Sequence, residues 1–192
     1  MNGGSGCVLP RASLLGVILG LAVGAGAPAA AQDAREHLPP VAPWDGESRR
    51  LALPPEHPWA TPAEKAKLEK TPSYDETVAW LRRLVEASPD LDLVSLGRSA
   101  EGRDIWMVVA SREDRRDPES LQESGKPLVL AQAGIHSGEI DGKDAGLMLL
   151  RDMTVLESRR HLLDRAHLLF VPILNVDGHE RVSPYGRINQ RG

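Results

Sequence analysis

The chain has 192 residues, which is room for one ordinary domain or for part of a larger one. Its formal net charge of −4 comes from 23 basic and 27 acidic residues that are scattered along the sequence. Because no basic stripe is present, we predict that nucleic acid is not a partner. Hydrophobic residues make up 41% of the chain, which is sufficient for a packed core.

The first 31 residues have the order of a secretory signal peptide. Arg11 is the only charged residue before Asp33, and it is followed by the apolar stretch LLGVILGLAVGAG and the small residues APAAAQ. This order predicts cleavage after Ala31 and export, so that the mature protein is secreted or periplasmic. The alternative is a membrane anchor, but the strongly apolar part, residues 14–23, is too short to span a bilayer. We therefore expect no stable membrane insertion after cleavage.

Residues 32–72 are predicted to form a proline-rich lead-in, because they hold eight of the 15 prolines. Such a density of proline favours an extended chain. Within it, TPAEKAKLEK (residues 61–70) predicts a short helix that begins with a threonine cap and a proline. Trp44 and Trp59 either pin this segment to a domain surface or lie in an exposed linker, and the sequence does not distinguish the two.

A regular pattern begins at Ser73. In YDETVAWLRRLVEA the apolar residues recur at the spacing of one helix face. Ser73 and Glu76 predict a capping box at the start of this helix, and Pro89 marks its end. The next two stretches, LDLVSLGRS and RDIWMVVAS, flank the turn SAEG and predict a β-hairpin.

Two further apolar runs predict the centre of a sheet. KPLVLAQAGI is almost continuously apolar, as in a central strand that is covered on both faces. AHLLFVPILN predicts a second central strand, which ends in the turn NVDG. Between them, DGKDAGLMLLRDMTV predicts a helix whose leucines face the sheet. The predicted fold class is therefore α/β, with a mixed central β-sheet covered by helices.

The loops that follow the two central strands carry the candidate site. In open α/β sheets, ligands bind beyond the carboxyl ends of the strands. There His136 and Glu139 are three residues apart, and imidazole nitrogen and carboxylate oxygen are both ligands of zinc. Gly138 and Gly142 are expected to allow the sharp turn that brings both side chains to one ion. On this short pattern alone, a metal site and a polar loop are both open.

Several stretches of the chain, in order, resemble the zinc metallocarboxypeptidases, the carboxypeptidase A-like peptidases. YDETVAWLRRLVEASPDLDLVSLGRSAEGRDIWMVVAS is similar to that family's opening helix and its G-x-S-x-E-G-R hairpin. GIHSGEIDGKDA resembles the first zinc loop, and FVPILNVDGHE resembles the N-P-D-G strand and turn. The resemblance implies a carboxypeptidase-like, zinc-dependent exopeptidase fold, Zn2+ bound by His136 and Glu139, and a peptide or protein substrate with a free C-terminus. It also implies that residues 73–192 are the amino-terminal part of a catalytic domain whose third zinc ligand and catalytic glutamate are expected beyond Gly192.

The sequence departs from the family's pattern near the site. Digestive members of the family carry an arginine directly before the zinc glutamate, where this chain has Gly138, so substrate contacts there are expected to differ. The turn reads NVDG rather than N-P-D-G. Arg187 and Arg191 lie near the positions of substrate-binding arginines in the family, and a guanidinium can bind a carboxylate or an oxyanion. Alternatively, both are surface arginines of a polar loop.

Other polar residues near the two loops have simpler interpretations. We expect Asp141 and Asp144 to cap the helix that follows the first loop; orienting His136 is their alternative role. Asp177 is expected to shape its own turn. His179 is expected to be exposed, with a supporting role behind the metal ligands as the alternative.

The predicted function is that of an exported zinc metallopeptidase, a carboxypeptidase. One alternative is a related zinc amide hydrolase of the same fold that acts on small acyl-amino acids or cell-wall peptides. The other is a binding module that keeps the fold without catalysis. The G-x-S-x-E-G-R hairpin favours the peptidase.

Overall fold

The computed structural model describes residues 46–136 and 138–181, so the predicted signal peptide lies outside the described residues. The α-helices and β-strands are α1 (Pro62–Lys65), α2 (Tyr74–Ala87), α3 (Pro118–Glu123), α4 (Asp141–Met153), α5 (Val176–His179), β1 (Leu91–Arg98), β2 (Asp104–Ala110), β3 (Leu128–Gln132) and β4 (His167–Val171). Single turns of 3-10 helix span Glu47–Leu51 and Arg160–Leu162. Within this part of the chain, no helix combines the length and the apolar character that crossing a bilayer requires.

Helix α2 begins with the predicted capping box. The Ser73 hydroxyl accepts a hydrogen bond from the Glu76 backbone N–H at 3.2 Å, and the Glu76 carboxylate accepts one from the Ser73 N–H at 2.8 Å. These two bonds satisfy N–H groups that have no partner within the helix. The helix ends at Ala87, just before Pro89, as predicted. Its buried face consists of Thr77, Trp80, Leu81 and Leu84.

The four strands form one mixed sheet in the order β1-β2-β4-β3. The hairpin strands β1 and β2 are antiparallel, β2 and β4 are antiparallel, and β3 and β4 are parallel. Strand β4 is therefore central, as predicted. The parallel pair is joined by α4, which is the connection that parallel neighbours need. The predicted fold class, a mixed sheet with helices, is confirmed.

The core lies on the face of the sheet that α2 and α4 cover. Paired residues of the strands, Val108 with Phe170 and Leu91 with Ala110, point to this side and are buried. Helix α4 contributes Leu147, Leu150 and Met153, which are 0–2% exposed. These side chains share one hydrophobic cluster with Trp80 and Leu81 of α2, and burial of their apolar surface stabilises the fold.

Strand β3 differs from its prediction as a strand covered on both faces. It lies at one of the two edges of the described sheet, and its residues Leu128, Val129 and Leu130 are 47%, 48% and 57% exposed. The continuous apolar run correctly predicts a strand of a parallel pair. It cannot say which elements cover the strand, and within the described residues only the β4 side is paired.

The lead-in from residue 46 onward packs onto the domain. Glu64 and Arg151 of α4 form an ion pair at 2.6 Å in which both side chains have no exposed surface. The Trp80 indole N–H donates to the Ala60 carbonyl at 3.2 Å. Trp59 lies under the Arg83 guanidinium and packs against the core, so of the two interpretations left open for Trp59 the structure shows the pinned one. Trp44 lies outside the described residues.

Helix α1 is shorter than the predicted helix over 61–70, because it ends at Lys65. The Lys67 N–H bonds to the Glu64 carbonyl and the Leu68 N–H bonds to the Ala63 carbonyl, each at 2.8 Å. This is the Schellman arrangement, in which the residue after the helix adopts a left-handed conformation. Here that residue is Lys67 (φ 56°) rather than a glycine, so the usual glycine signal for a helix end is absent at this position.

Candidate metal centre

The backbones of the two loops that follow β3 and β4 lie side by side. Ala133 N–H donates to the Val171 carbonyl at 2.8 Å, and Leu174 N–H donates back to the Ala133 carbonyl at 3.0 Å. Asn175 N–H then bonds to the Gly134 carbonyl at 2.9 Å. The parallel pairing therefore continues past the ends of both strands. It places the loop with His136 beside the NVDG turn, as the topology predicted.

Gly134 is the glycine that permits this close approach. Its φ is +59°, and a Cβ added there would lie 3.3 Å from Ile173 Cα, where the backbone cannot readily move aside. The prediction assigned the sharp turn to Gly138 and Gly142. Gly138 has open space around it, and Gly142 lies inside α4 against Ala133. The assignment was therefore wrong for Gly142, whereas Gly138 lies in the turn between His136 and Glu139 without a positive φ; the close approach that requires glycine is at Gly134, against a strand end that is distant in sequence.

His136 and Glu139 meet across a tight turn. The Glu139 N–H donates to the His136 carbonyl at 3.0 Å, which folds the four-residue segment back on itself. His136 Nδ1 and Glu139 Oε2 are 3.0 Å apart, and the two side chains are 47% and 57% exposed. The structure thus brings together the two residues that the sequence singled out, in a position that solvent can reach.

The chemistry and the spacing of this pair fit two ligands of a zinc ion. Zinc binds imidazole nitrogen and carboxylate oxygen at roughly 2.0–2.2 Å, so two ligand atoms of a tetrahedral site lie roughly 3.4 Å apart. The 3.0 Å separation of Nδ1 and Oε2 needs only a small opening to reach that value. Among residues 46–136 and 138–181, no third His, Cys, Asp or Glu joins the pair.

The neighbouring aspartates do not act as predicted. Helix α4 begins after Ile140, with no side-chain cap, so neither Asp141 nor Asp144 caps it. Asp144 instead accepts a hydrogen bond from the Thr71 hydroxyl at 2.9 Å and lies 3.5 Å from the Lys143 ammonium. Burial raises the pKa of Asp144, and Lys143 partly opposes this. The first turn of α4 is instead bonded to the end of the lead-in, at Thr71 and Pro72.

The NVDG turn is shaped by Asn175 and not, as predicted, by Asp177. Asn175 Oδ1 accepts the Gly178 N–H at 2.9 Å. Asp177 instead binds the hairpin: its Oδ1 accepts from the Ser99 hydroxyl and from Arg103, each at 2.8 Å. Its Oδ2 accepts the Glu101 N–H at 3.1 Å. Partial burial alone would raise the pKa of Asp177, but these donors lower it.

Asp177 thus joins the G-x-S-x-E-G-R hairpin to the NVDG turn. Ser99, Glu101 and Arg103 are all residues of the hairpin motif, and each gives Asp177 a hydrogen bond. Three separate motifs of the sequence therefore converge at the carboxyl end of β4. Arg187 and Arg191, predicted to bind substrate, lie outside the described residues.

His179 is buried, whereas the sequence predicted an exposed side chain. It is 8% exposed, and its Nε2 lies 3.0 Å from the Lys143 ammonium while its Nδ1 lies 2.8 Å from Glu180 Oε1. Burial is the largest cause that lowers the pKa of His179, and Lys143 lowers it further. Both ring nitrogens are occupied, so His179 does not supply a metal ligand in this arrangement.

Sequence reasoning missed Lys143, which has no exposed surface. The signal was present: Lys143, Leu147 and Leu150 share one face of α4 by their spacing, and that face is buried. A lysine at such a position needs partners, because this side chain is almost never fully buried without them.

Known proteins similar to this chain are carboxypeptidases. A model of the zinc carboxypeptidase family matches residues 77–192. Human carboxypeptidase D is 32% identical over 132 residues, which are 62% of this chain and 9% of that protein. An inactive metallocarboxypeptidase of Schizosaccharomyces pombe is 34% identical over 108 residues, 53% of this chain and 21% of that protein.

A solved structure shows the same fold. Thrombin activatable fibrinolysis inhibitor matches with a TM-score of 0.54 at 21% identity, over 69% of this chain and 31% of that one. The chain therefore spans less than a third of each of these proteins. The family match covers more than half of the chain and includes both loops and the hairpin. The chain belongs to the zinc carboxypeptidase family.

Proposed function

We propose that this protein is an exported zinc-dependent carboxypeptidase that hydrolyses the C-terminal peptide bond of peptides or proteins. The observation that supports this is the His136–Glu139 pair, whose nitrogen and oxygen are 3.0 Å apart on a tight turn at the carboxyl end of β3. Family membership supports a zinc-dependent peptidase and leaves the ligand assignment to these two residues as our proposal.

The proposed roles follow from the chemistry of the side chains. His136 and Glu139 hold the metal, which when bound lowers the pKa of a water ligand and polarises the scissile carbonyl. Arg187 and Arg191 bind the substrate, since a guanidinium stays charged and pairs with a carboxylate through two parallel hydrogen bonds. Gly138, which precedes Glu139, leaves open space in the loop beside the metal ligands.

The zinc assignment is tested by removing one ligand from the full-length protein. Glu139→Ala takes away the anionic ligand, and we expect bound zinc to fall from one ion per molecule to a small fraction after dialysis. Atomic absorption on purified protein measures this. Glu123→Ala, which removes an exposed glutamate of α3, is the matched control and should keep its zinc. Equal zinc in wild type and Glu139→Ala would place the ligands elsewhere.

The reaction is tested with paired substrates. A carboxypeptidase should cleave a peptide with a free terminal carboxylate and leave the same peptide with an amidated terminus intact, because the amide removes the charge that the arginines bind. Cleavage of a small acyl-amino acid in preference to the peptide would favour the amide hydrolase. Zinc binding without turnover of either substrate would favour the binding module, an outcome to which the inactive S. pombe relative gives weight.

Export is tested by the amino terminus of the protein from its own cell. Arg11, the apolar stretch behind it and the sequence APAAAQ predict cleavage after Ala31. Amino-terminal sequencing of the secreted or periplasmic protein should therefore begin at Gln32. Protein that retains Met1 in the cytoplasm would refute the proposed localisation.

A further inference from the structure

Lys143 is a fully buried lysine in the first turn of α4, four residues after Glu139. Its ammonium donates to the Pro72 carbonyl at 2.8 Å and to His179 Nε2 at 3.0 Å. Its carboxylate partner, Asp144 Oδ1, is more distant at 3.5 Å. Both of its short contacts are thus to uncharged acceptors on segments that are far from α4 in sequence.

The contact with Lys143 fixes the protonation of His179. Since the ammonium only donates, Nε2 of His179 must be the unprotonated nitrogen and Nδ1 must carry the hydrogen. Nδ1–H then donates to Glu180 Oε1 at 2.8 Å. The same carboxylate oxygen accepts the Tyr74 N–H, at the start of α2, at 2.8 Å. A continuous chain of hydrogen bonds therefore runs from α4 through the turn after β4 to α2.

Holding these segments together with a buried lysine costs free energy. Removing a charge from water costs several kcal/mol, and apolar side chains of similar volume often give equal or greater stability. Leu147 and Leu150, on the same face of α4, show that apolar side chains are buried there. Lys143 adds geometric specificity, because its N–H groups form good hydrogen bonds only when the His179 ring and the Pro72 carbonyl lie in particular positions.

His179 belongs to a segment that contacts several parts of the candidate site. The segment 175–180 is already bonded to the loop after β3 through Asn175, and to the hairpin through Asp177. His179 and Glu180 are its last residues before the stretch that carries Arg187 and Arg191. On the other side, α4 begins two residues after Glu139. The Lys143–His179 contact therefore joins the first turn of α4, which follows the metal loop, to the turn after β4.

We propose that Lys143 and His179 are positioning residues, which hold the turn after β4 against the base of the metal loop without touching metal or substrate. This inference rests on the proposed function. It predicts that breaking the contact leaves zinc in place but lowers the rate, because the metal loop and the turn after β4 no longer hold their relative position. A displacement of about 1 Å can lower the rate about 100-fold.

The test uses the full-length enzyme with four variants. Lys143→Met and His179→Phe each remove one partner, and their double variant removes both. His179→Gln keeps an acceptor for the ammonium and a donor for Glu180. We expect about one zinc per molecule in every variant, kcat/KM about 10- to 100-fold lower in both single variants, and His179→Gln within about fivefold of wild type. The double variant should be no worse than the poorer single variant, because both remove the same contact.

Lys126→Met is the matched control. Lys126 is also partly buried and ion-paired, to Glu113 at 2.8 Å, but it precedes β3 and lies at the other end of the sheet. It should leave kcat/KM unchanged. The inference is overturned if Lys143→Met stays within threefold of wild type, if the losses of the single variants multiply in the double variant, or if His179→Gln is as impaired as His179→Phe.

Two outcomes separate this inference from the function on which it rests. A wild-type protein that binds no zinc or cleaves no peptide refutes the proposed function before any variant is considered. Active, zinc-loaded wild type with unimpaired variants refutes the positioning role alone. If Lys143→Met does not fold, the comparison of His179→Gln with His179→Phe decides, since both leave Lys143 intact.

Discussion

His167 is a buried histidine with an incomplete set of hydrogen bonds. At the first residue of β4 it has no exposed surface, and its Nε2 lies 2.8 Å from the Ser124 hydroxyl. Its Nδ1 has no partner among the described residues. Burial is the largest cause that lowers the pKa of His167; the Lys126 ammonium lowers it too, and Glu113 opposes both. The folded protein therefore holds this ring neutral at pH values where a free histidine takes up a proton.

This predicts that acid destabilises the protein through His167. Below about pH 6.5 the unfolded chain binds a proton that the folded chain does not, so the free energy of unfolding falls as the pH falls. One such group lowers the free energy of unfolding by at most about 1.4 kcal/mol for each pH unit. His167→Gln should flatten the decrease between pH 7 and pH 5 in urea unfolding of the full-length protein. The matched control, His161→Gln, replaces an exposed histidine and should keep the wild-type slope of unfolding free energy against pH. Equal slopes in the wild type and both variants would contradict the prediction.

At the scale of single residues, the sequence predicts local pairs and misses distant ones. His136 and Glu139 are three residues apart, so their contact follows from one turn of backbone that a short motif can encode. Lys143 and His179 are 36 residues apart, and their contact depends on how β3 and β4 pair. His179 was expected to be exposed because a polar residue after a turn usually is, and nothing nearby in sequence indicates its partner.

At the scale of elements, α4 packs against the sheet through a glycine. Gly146 faces Phe170 of β4, and a Cβ added there would lie 2.1–2.8 Å from atoms of the ring. Gly146→Ala should therefore destabilise the protein by about 1–3 kcal/mol through overpacking, although alanine is the better helix former by about 1 kcal/mol. Urea unfolding of the full-length protein measures the change.

The partner residue supplies the control for this prediction. Phe170→Leu shortens the side chain that the new methyl group meets, so the double variant should recover part of the stability lost in Gly146→Ala. In a double-variant cycle the two changes should couple, because the residues are in contact. A stabilised Gly146→Ala, or two effects that simply add, would show that the helix can move away from the sheet without cost.

Element boundaries were predictable where a local signal set them. Ser73 and Glu76 form the predicted capping box of α2, and the hairpin strands lie where the apolar stretches placed them. Helix α1 was predicted too long because its end depends on a left-handed lysine, Lys67, where the usual signal is glycine. The exposure of β3 was not predictable, since an apolar run shows that a strand prefers burial and not what covers it.

At the scale of the whole molecule, the second face of the sheet is open within the described residues. A groove of 480 Å³ runs along it between the strands and α3. Its lining is mainly apolar, and Val94 and Leu128 within it are 41% and 47% exposed. Leu130, on the same side of β3 as Leu128, is 57% exposed. Exposed apolar surface next to an unpaired strand edge favours association between chains.

We therefore predict that the 192-residue chain made alone is neither well folded nor active. Burying apolar surface contributes roughly 25 cal/mol per Å², and the face and the β3 edge that are uncovered within the described residues forgo this contribution while the backbone is still ordered. Zinc should not rescue the chain, since the two proposed ligands within the described residues, His136 and Glu139, are one fewer than a catalytic site uses. Urea unfolding with and without zinc, together with a peptide assay, provides the measurement, and the full-length protein is the control. We expect aggregation, no cooperative transition and no cleavage; a cooperative transition together with cleavage would show that 192 residues suffice for both the fold and the site.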